Sequence, residues 1–343
     1  MRPRGAEGGN RMNQPLLPRP RFWALAISEK KSRRPILSDM LRFLVVFLIA
    51  TVVQSMLLSV PITVWVLRNG AAIGLQAEVE ISSIQQKIQE LLSRMPAWLE
   101  ISVLFAGLAY GAAAIFYCKR FEKRSLASMG IVKKGALAEL GAGLLIGCLL
   151  IGGLTAIGVA AGGLEAEPFS VESSRIPLLL LALTASLVAG AGQELLLRGY
   201  FTPTVSGGVP AFFAVTVSTA VSMILTTSAK GIIAYANILL LNLLLCVCTI
   251  KRGNLWAAIG LHGGWLFAAH FLFGFDLPAD NRLCMVRVNG VSISEAMTGG
   301  VNGPTGSICA TIVLIAAVAA VFALRAKDPA PPAPKEDEPA AEA

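Results

Sequence analysis

Hydrophobic positions along this chain come in long uninterrupted blocks rather than in a fine alternation with polar ones. Eight such runs lie at approximately 42–67, 98–118, 136–162, 176–198, 210–228, 231–250, 254–275 and 306–325. Crossing a hydrocarbon core of ~30 Å takes roughly 20 helical residues, and in lipid only a helix or a closed barrel satisfies its own backbone. The blocks therefore predict an all-α fold, a polytopic membrane helix bundle of about eight transmembrane spans. One segment has a different period. Ile81, Ile84, Ile88, Leu91, Leu92 and Met95 recur at three-and-four spacing among Gln, Lys and Glu, which predicts an amphipathic helix. Pro96 ends it, and Trp98 follows where an interfacial aromatic belongs. Lying flat on the outer surface is one reading of that helix, and a partner-binding or lid helix is the other. Thr298 to Gly306 is a turn-rich lead into the last run.

Composition agrees with the pattern: 55% of the 343 residues are hydrophobic and only 15% charged, which is a membrane protein's balance. The net charge of +8 does not point to nucleic acid, because the basic residues flank apolar runs. Arg42, Lys119-Arg120 with Lys123-Arg124 and Lys133-Lys134, Lys251-Arg252, and Arg325 with Lys327 fall on one side. Glu78, Glu80, Glu165, Glu167, Glu172, Asp276 and Asp280 fall on the other. The positive-inside rule then places both termini in the cytoplasm of a multi-pass cell (plasma) membrane protein. Residues 1–40 are basic and interrupted by Pro3, Pro15, Pro18, Pro20 and Pro35, and read as a disordered cytoplasmic arm. Residues 41–134 hold the first two spans and the outer amphipathic helix, 135–327 the remaining bundle, and 328–343 a disordered Pro, Ala and acidic tail. The six cysteines form no Cys-x-x-Cys pattern; Cys284 and Cys309 are the two that could bridge on the outer side.

Candidate chemistry concentrates in Ala191-Gly-Gln-Glu-Leu-Leu-Leu-Arg-Gly-Tyr-Phe201. Ionisable residues at membrane depth cost about 2.5–3.5 kcal/mol each on insertion scales and are seldom idle. Glu194 and Arg198 stand four apart, so a helix lets them pair. A structural ion pair and a polar site are both open readings. His262 lies in the glycine-flanked Leu261-His-Gly-Gly-Trp265 and either bonds a neighbouring helix or belongs to that site. Ser218, Ser222, Thr226, Thr227 and Ser228 make a hydroxyl stripe that ordinarily bonds back to its own helix or glues two helices.

Glu194-x-x-x-Arg198-Gly199, together with Gly253-Asn-Leu-Trp-Ala-Ala-Ile-Gly-Leu-His262, resembles the CAAX prenyl protease 2 and bacteriocin-processing (CPBP, Abi-type) family of intramembrane endopeptidases. The resemblance covers roughly residues 135–325. It implies an eight-helix bundle, a hydrolytic site, and a divalent metal such as zinc if the family's activity is retained. Glu194, Arg198 and His262 match the family's motifs. Other positions depart from it. Gln193 stands where the family's first Glu acts on the attacking water. Ser222 and Thr226 stand at the Phe and His of the second motif, and Leu266 replaces the polar residue four after His262. The late Gly-Pro-Glu is Gly303-Pro304-Thr305 here.

An amide cannot take a proton from water near neutral pH, whereas a buried carboxylate can. A catalytic metal needs about three converging N, O or S ligands, and His262 is the only imidazole at the site. His270 is eight residues on, about 12 Å along a helix, so the two cannot grip one ion. No cofactor is expected on these residues, and His262 is the sole metal ligand if there is one. Three functions stay open: a pseudoprotease that binds a membrane protein or peptide partner without efficient cleavage, an active endopeptidase using Glu194 and His262, and a small membrane transporter. The lipid bilayer is the common partner, and nucleic acid is excluded.

Overall fold

The computed structural model describes residues 17–30, 35–69, 95–168, 173–225, 230–275, 283–291 and 294–327. The amphipathic pattern at 81–94, Thr226 to Ser228, and the acidic tail lie outside them. Helix α1 (Arg21–Glu29) is the first departure from expectation, because the prolines and basic charge of the arm predict an unstructured segment. Its Phe22, Trp23 and Ala26 form one buried face, and Phe22 and Trp23 join Met129 and Val205 in one core cluster. That apolar stripe outweighs the flanking prolines, of which Pro20 only sets the helix start. At its far end Glu29 accepts from the Ser125 N–H at 2.8 Å and from Ser125 Oγ at 2.7 Å.

Helix α2 (Ile36–Asn69) is 34 residues long and starts earlier than the apolar run alone suggested. It buries Phe43, Val46 and Ala50 on one stripe, while Leu41, Leu44, Leu48, Val52 and Met56 remain exposed, as a lipid-facing side must. Helices α3 (Ala97–Ala106) and α4 (Leu108–Tyr117) are one span broken at Gly107. Helix α5 (Ala136–Ala160) leads to strand β1 (Leu164–Pro168). Helix α6 (Ile176–Glu194) runs through a wide π turn (Leu195–Phe201) into α7 (Thr202–Ser206). Helices α8 (Ala211–Leu225), α9 (Ile232–Arg252) and α10 (Trp256–Phe267) follow, and a π turn (Ala268–Leu272) ends α10. Strand β2 (Val286–Gly290) and helix α11 (Ile308–Ala323) close the fold.

Among the described residues, 5 helices are long and apolar enough to cross a membrane: Ile36–Asn69, Ala97–Glu122, Ala136–Ala160, Ser173–Ser206 and Ile232–Arg252. The protein is thus a multi-pass bundle, but the eight-span expectation holds clearly for these alone. Helices α8, α10 and α11 are shorter, at 15, 12 and 16 residues. A second departure is the antiparallel pair β1–β2, in register from Leu164 with Gly290 to Pro168 with Val286. It ties the end of α5 to the segment after α10 in an otherwise helical fold.

Glycine sets how closely the central helices approach. A Cβ on Gly143 or Gly147 of α5 would stand 2.2 Å from the Ala257 carbonyl oxygen or 2.3 Å from that of Leu261. Reciprocally, a Cβ on Gly260 or Gly264 of α10 would stand 2.1 Å from the Leu140 oxygen or 2.3 Å from that of Leu144. Two small-x-x-x-small stripes therefore interlock, which is how membrane helices gain contact without a hydrophobic driving force. Helix α6 fits into the remaining sides: Gly190 meets the Gly263 nitrogen and Gly192 meets the Gly107 carbonyl.

Polar clamps fix one end of this arrangement. Arg252 donates twice to Glu139, at 2.7 and 2.6 Å, and Lys327 Nζ reaches the same carboxylate at 2.7 Å. Arg124 is buried and bonds Glu122, Thr204, and the Ser128 and Gly199 carbonyls. At the other end of α9, Asn237 donates to the Thr305 and Ser307 carbonyls and accepts from Thr311 Oγ1. The lead into α11 is turn-rich as predicted, and Ser307 caps that helix by accepting from the Ala310 N–H. No disulfide joins Cys284 and Cys309; each is buried separately, one before β2 and the other in the first turn of α11.

Candidate functional site

Helix α6 turns Glu194 toward α10, on the same face as Gly190, which packs on Gly263. The approach that these glycines permit brings His262 Nδ1 to 2.9 Å from Glu194 Oε1. Arg198 Nη1 donates to the same oxygen at 3.2 Å. Glu194 and Arg198 are 0% and 1% exposed, so the pair is taken out of water, which is costly unless further hydrogen bonds compensate. They do so in part: Arg198 Nη2 donates to the Asn242 side-chain oxygen at 2.7 Å and to its main-chain carbonyl at 2.9 Å, while Arg198 Nε is buried without a hydrogen bond among the described residues. Asn242 Nδ2 in turn donates to the Ile238 carbonyl at 2.9 Å, which fixes the sense of the amide. The chain of contacts runs Asn242, Arg198, Glu194, His262, across helices α9, α6 and α10. Glu194 Oε2 is buried and has no hydrogen-bond partner among the described residues.

The sequence expected Glu194 with Arg198, and placed His262 either against a helix or in a polar site. The structure joins all three. Asn242 was missed. A signal for it existed: it is one of two asparagines in the apolar run 231–250, and an amide there needs a partner as much as a charge does.

The remaining positions fall differently. Gln193 is exposed. It points between the direction of Gly192, packed on Gly107, and that of Glu194, packed on His262. Leu266, one turn after His262, is half-buried and supplies no polar group. Ser222 is buried and donates to the Ser218 carbonyl at 2.8 Å, while Thr202 Oγ1 donates to Ser218 Oγ at 2.7 Å. These hydroxyls serve helix contacts, and His262 meets a carboxylate rather than a hydroxyl. Thr226 lies outside the described residues. His270 is well away from the site and meets Glu100 instead, at 2.9 Å.

What the arrangement can do follows from its donors. A carboxylate flanked by a guanidinium is an acceptor, so the proton on the short bond belongs to His262 Nδ1. Glu194 thereby fixes the ring and turns Nε2 away from itself, which is the orienting role a carboxylate plays for a general base or a metal ligand. A metal fits poorly. Among the described residues no three His, Cys, Asp or Glu side chains cluster to hold an ion, whereas a catalytic metal takes about three. Glu194 Oε1 and His262 Nδ1 also bond to each other instead of converging on a third point, and Arg198 puts a positive charge beside them.

No curated protein matches the chain. The stretch that contains Gln193, Glu194, Arg198, Asn242, His262 and Leu266 does match a family model. Over residues 175–268, part of the chain, a CAAX protease domain is identified, of the type described as Type II CAAX prenyl endopeptidase Rce1-like.

Proposed function

We propose that this membrane protein keeps the CAAX-protease-like bundle and polar site but binds a membrane partner or substrate segment without efficient cleavage. The observation that carries this reading is the engagement of Glu194 by both Arg198 and His262. Gln193, exposed beside it, is an amide and supplies no base for water. Leu266 adds no group to stabilise an oxyanion. The interlocked glycines hold the three helices rigidly, so the site is preserved as a shape even where its chemistry is altered.

One observation favours the other reading, an active endopeptidase using Glu194 and His262. A carboxylate-oriented imidazole is the geometry of a general base. Metal analysis and peptide-cleavage assays on the purified protein separate the two. The wild type is expected to hold no stoichiometric divalent metal and to cut no peptide bond. Gln193→Glu, Thr226→His and Leu266→Asn together are expected to recover metal binding that no single change recovers, since such groups act as a unit. Stoichiometric metal in the wild type, abolished by His262→Ala, would overturn the non-cleaving reading.

The basic flanks described above support cytoplasmic termini in a plasma-membrane protein. Reporter fusions after residues 40 and 327 are both expected to report cytoplasm, and an outward report from either would change the span count by one.

A further inference from the structure

We propose that Asn242 is a positioning residue that determines which ring nitrogen of His262 carries the proton. This rests on reading Glu194, Arg198 and His262 as the site, and it adds how the state of that site is set. Glu194 meets His262 through one oxygen only, and its other oxygen is buried without a hydrogen bond among the described residues. The carboxylate's place and its role as acceptor therefore depend on Arg198. Arg198 Nη2 has two acceptors, both from Asn242, Oδ1 at 2.7 Å and the main-chain oxygen at 2.9 Å, and the Cys246 side chain also engages the guanidinium. Asn242 is itself oriented by the bond from its Nδ2 to the Ile238 carbonyl.

The consequence is a choice between two proton positions on one short bond. With Arg198 held against it, Glu194 is an ionised acceptor, Nδ1 bears the hydrogen, and Nε2 offers a lone pair to whatever enters the site. If Arg198 turns away, the buried carboxylate is uncompensated. A proton is then taken up from solvent on Nε2 and the Nδ1 proton passes to Glu194 Oε1, so the ring stays neutral and presents a donor instead. A ligand group that gives an N–H or O–H is bound in the first state, and one that accepts is bound in the second. Asn242 thereby acts on recognition without touching the ligand.

The chain has only two histidines, which makes the test direct. The full protein, labelled with nitrogen-15 histidine in lipid bilayers, gives two imidazole signal sets, and His270→Gln assigns them. The wild type is expected to show His262 protonated at Nδ1 and bare at Nε2. Asn242→Leu removes one of the two acceptors, so the other tautomer is expected to gain population partially, with less effect than Arg198→Met and with His270 unmoved. Asn242→Asp keeps the side-chain acceptor and is expected to restore the wild-type pattern. If Asn242→Leu does not reach the membrane, Asn242→Ala leaves a gap rather than a clash and is read in the same way. The proposal is overturned if His262 is unchanged by the loss of the amide while Arg198→Met moves it. It is also overturned if both imidazoles move together, or if Asn242→Asp behaves like Asn242→Leu. Peptide cleavage by the wild type would end the non-cleaving reading and leave this spectrum untouched.

Discussion

One helical segment, α10 with its π turn, carries both imidazoles of the chain, and each meets a buried glutamate at 2.9 Å. The two pairs are built differently. Glu194, at 0% exposure, shares its oxygen with Arg198, which is anchored on Asn242. Glu100, at 8%, sits on α3 beside an apolar cluster of Ile101, Ala182, Phe271 and Leu283, and its Oε2 is buried without a hydrogen bond among the described residues. The same two residue types at the same distance therefore make a locked acceptor network in one place and a clasp between two helix ends in the other. A carboxylate–imidazole distance says little until the cation beside it is counted.

The largest effect that separates the two pairs is the loss of Arg198. Arg198→Met leaves Glu194 uncompensated in the core, and breaking a buried pair on one side costs about 3–5 kcal/mol. Glu100→Gln, which removes a charge but keeps an acceptor for His270, is expected to cost about 1–3 kcal/mol. Thermal unfolding in detergent reads both. Equal losses would erase the distinction between the pairs. Gln193→Ala, at an exposed position, is expected to stay within ~0.5 kcal/mol of wild type.

The next effect tests whether glycine packing creates the site pair. Gly260→Ala puts a methyl 2.1 Å from the Leu140 carbonyl, so α5 and α10 must separate. Overpacking of this kind costs about 1–3 kcal/mol, and His262 moves with its helix. Gly153→Ala on the same α5 meets nothing within 4 Å, and is expected to be neutral or to stabilise by about 0.5–1 kcal/mol through helix propensity. Similar melting curves for the two variants would mean that the interlock does not position His262.

The smallest effect lies outside the spans, at Glu29. Burial alone would raise its carboxyl, but the bonds from Ser125 N–H and Oγ, with Ser128 and the Arg124 charge, hold it below the usual 4.5. A lowered carboxyl contributes stability above its unfolded value and loses it as pH falls through the folded one. Docking of α1 is thus expected to weaken only on acidification below about pH 4.5. Protease accessibility of residues 21–29 measures it. Glu29→Gln is expected to loosen α1 at neutral pH and to remove the pH dependence, and an unchanged acid profile in that variant would assign the effect elsewhere.

Much of this was legible in one dimension. The bilayer leaves a chain few ways to satisfy its backbone, so long apolar blocks read directly as spans, and the 4-residue spacing of Glu194 and Arg198 read as a pair because helical geometry is fixed. The motif at Glu194, Arg198 and His262 likewise points to the family whose model matches residues 175–268. Other features were not legible, each for a physical reason. The helix at Arg21–Glu29 holds by docking Phe22 and Trp23 on a turn more than a hundred residues away, and local composition spoke only of prolines and charge. Span lengths near α8, α10 and α11 depend on where turns and neighbours end a helix, not on hydropathy. The partner of His262 depended on which helices approach, and that was decided by glycine faces on α5, α6 and α10 acting together. Sequence determined which polar residues would be stranded in an apolar bundle. Only the packing of three helices decided that Asn242 would hold Arg198 and that Glu194 would face His262, because a buried group's chemistry belongs to the neighbours that the fold brings to it.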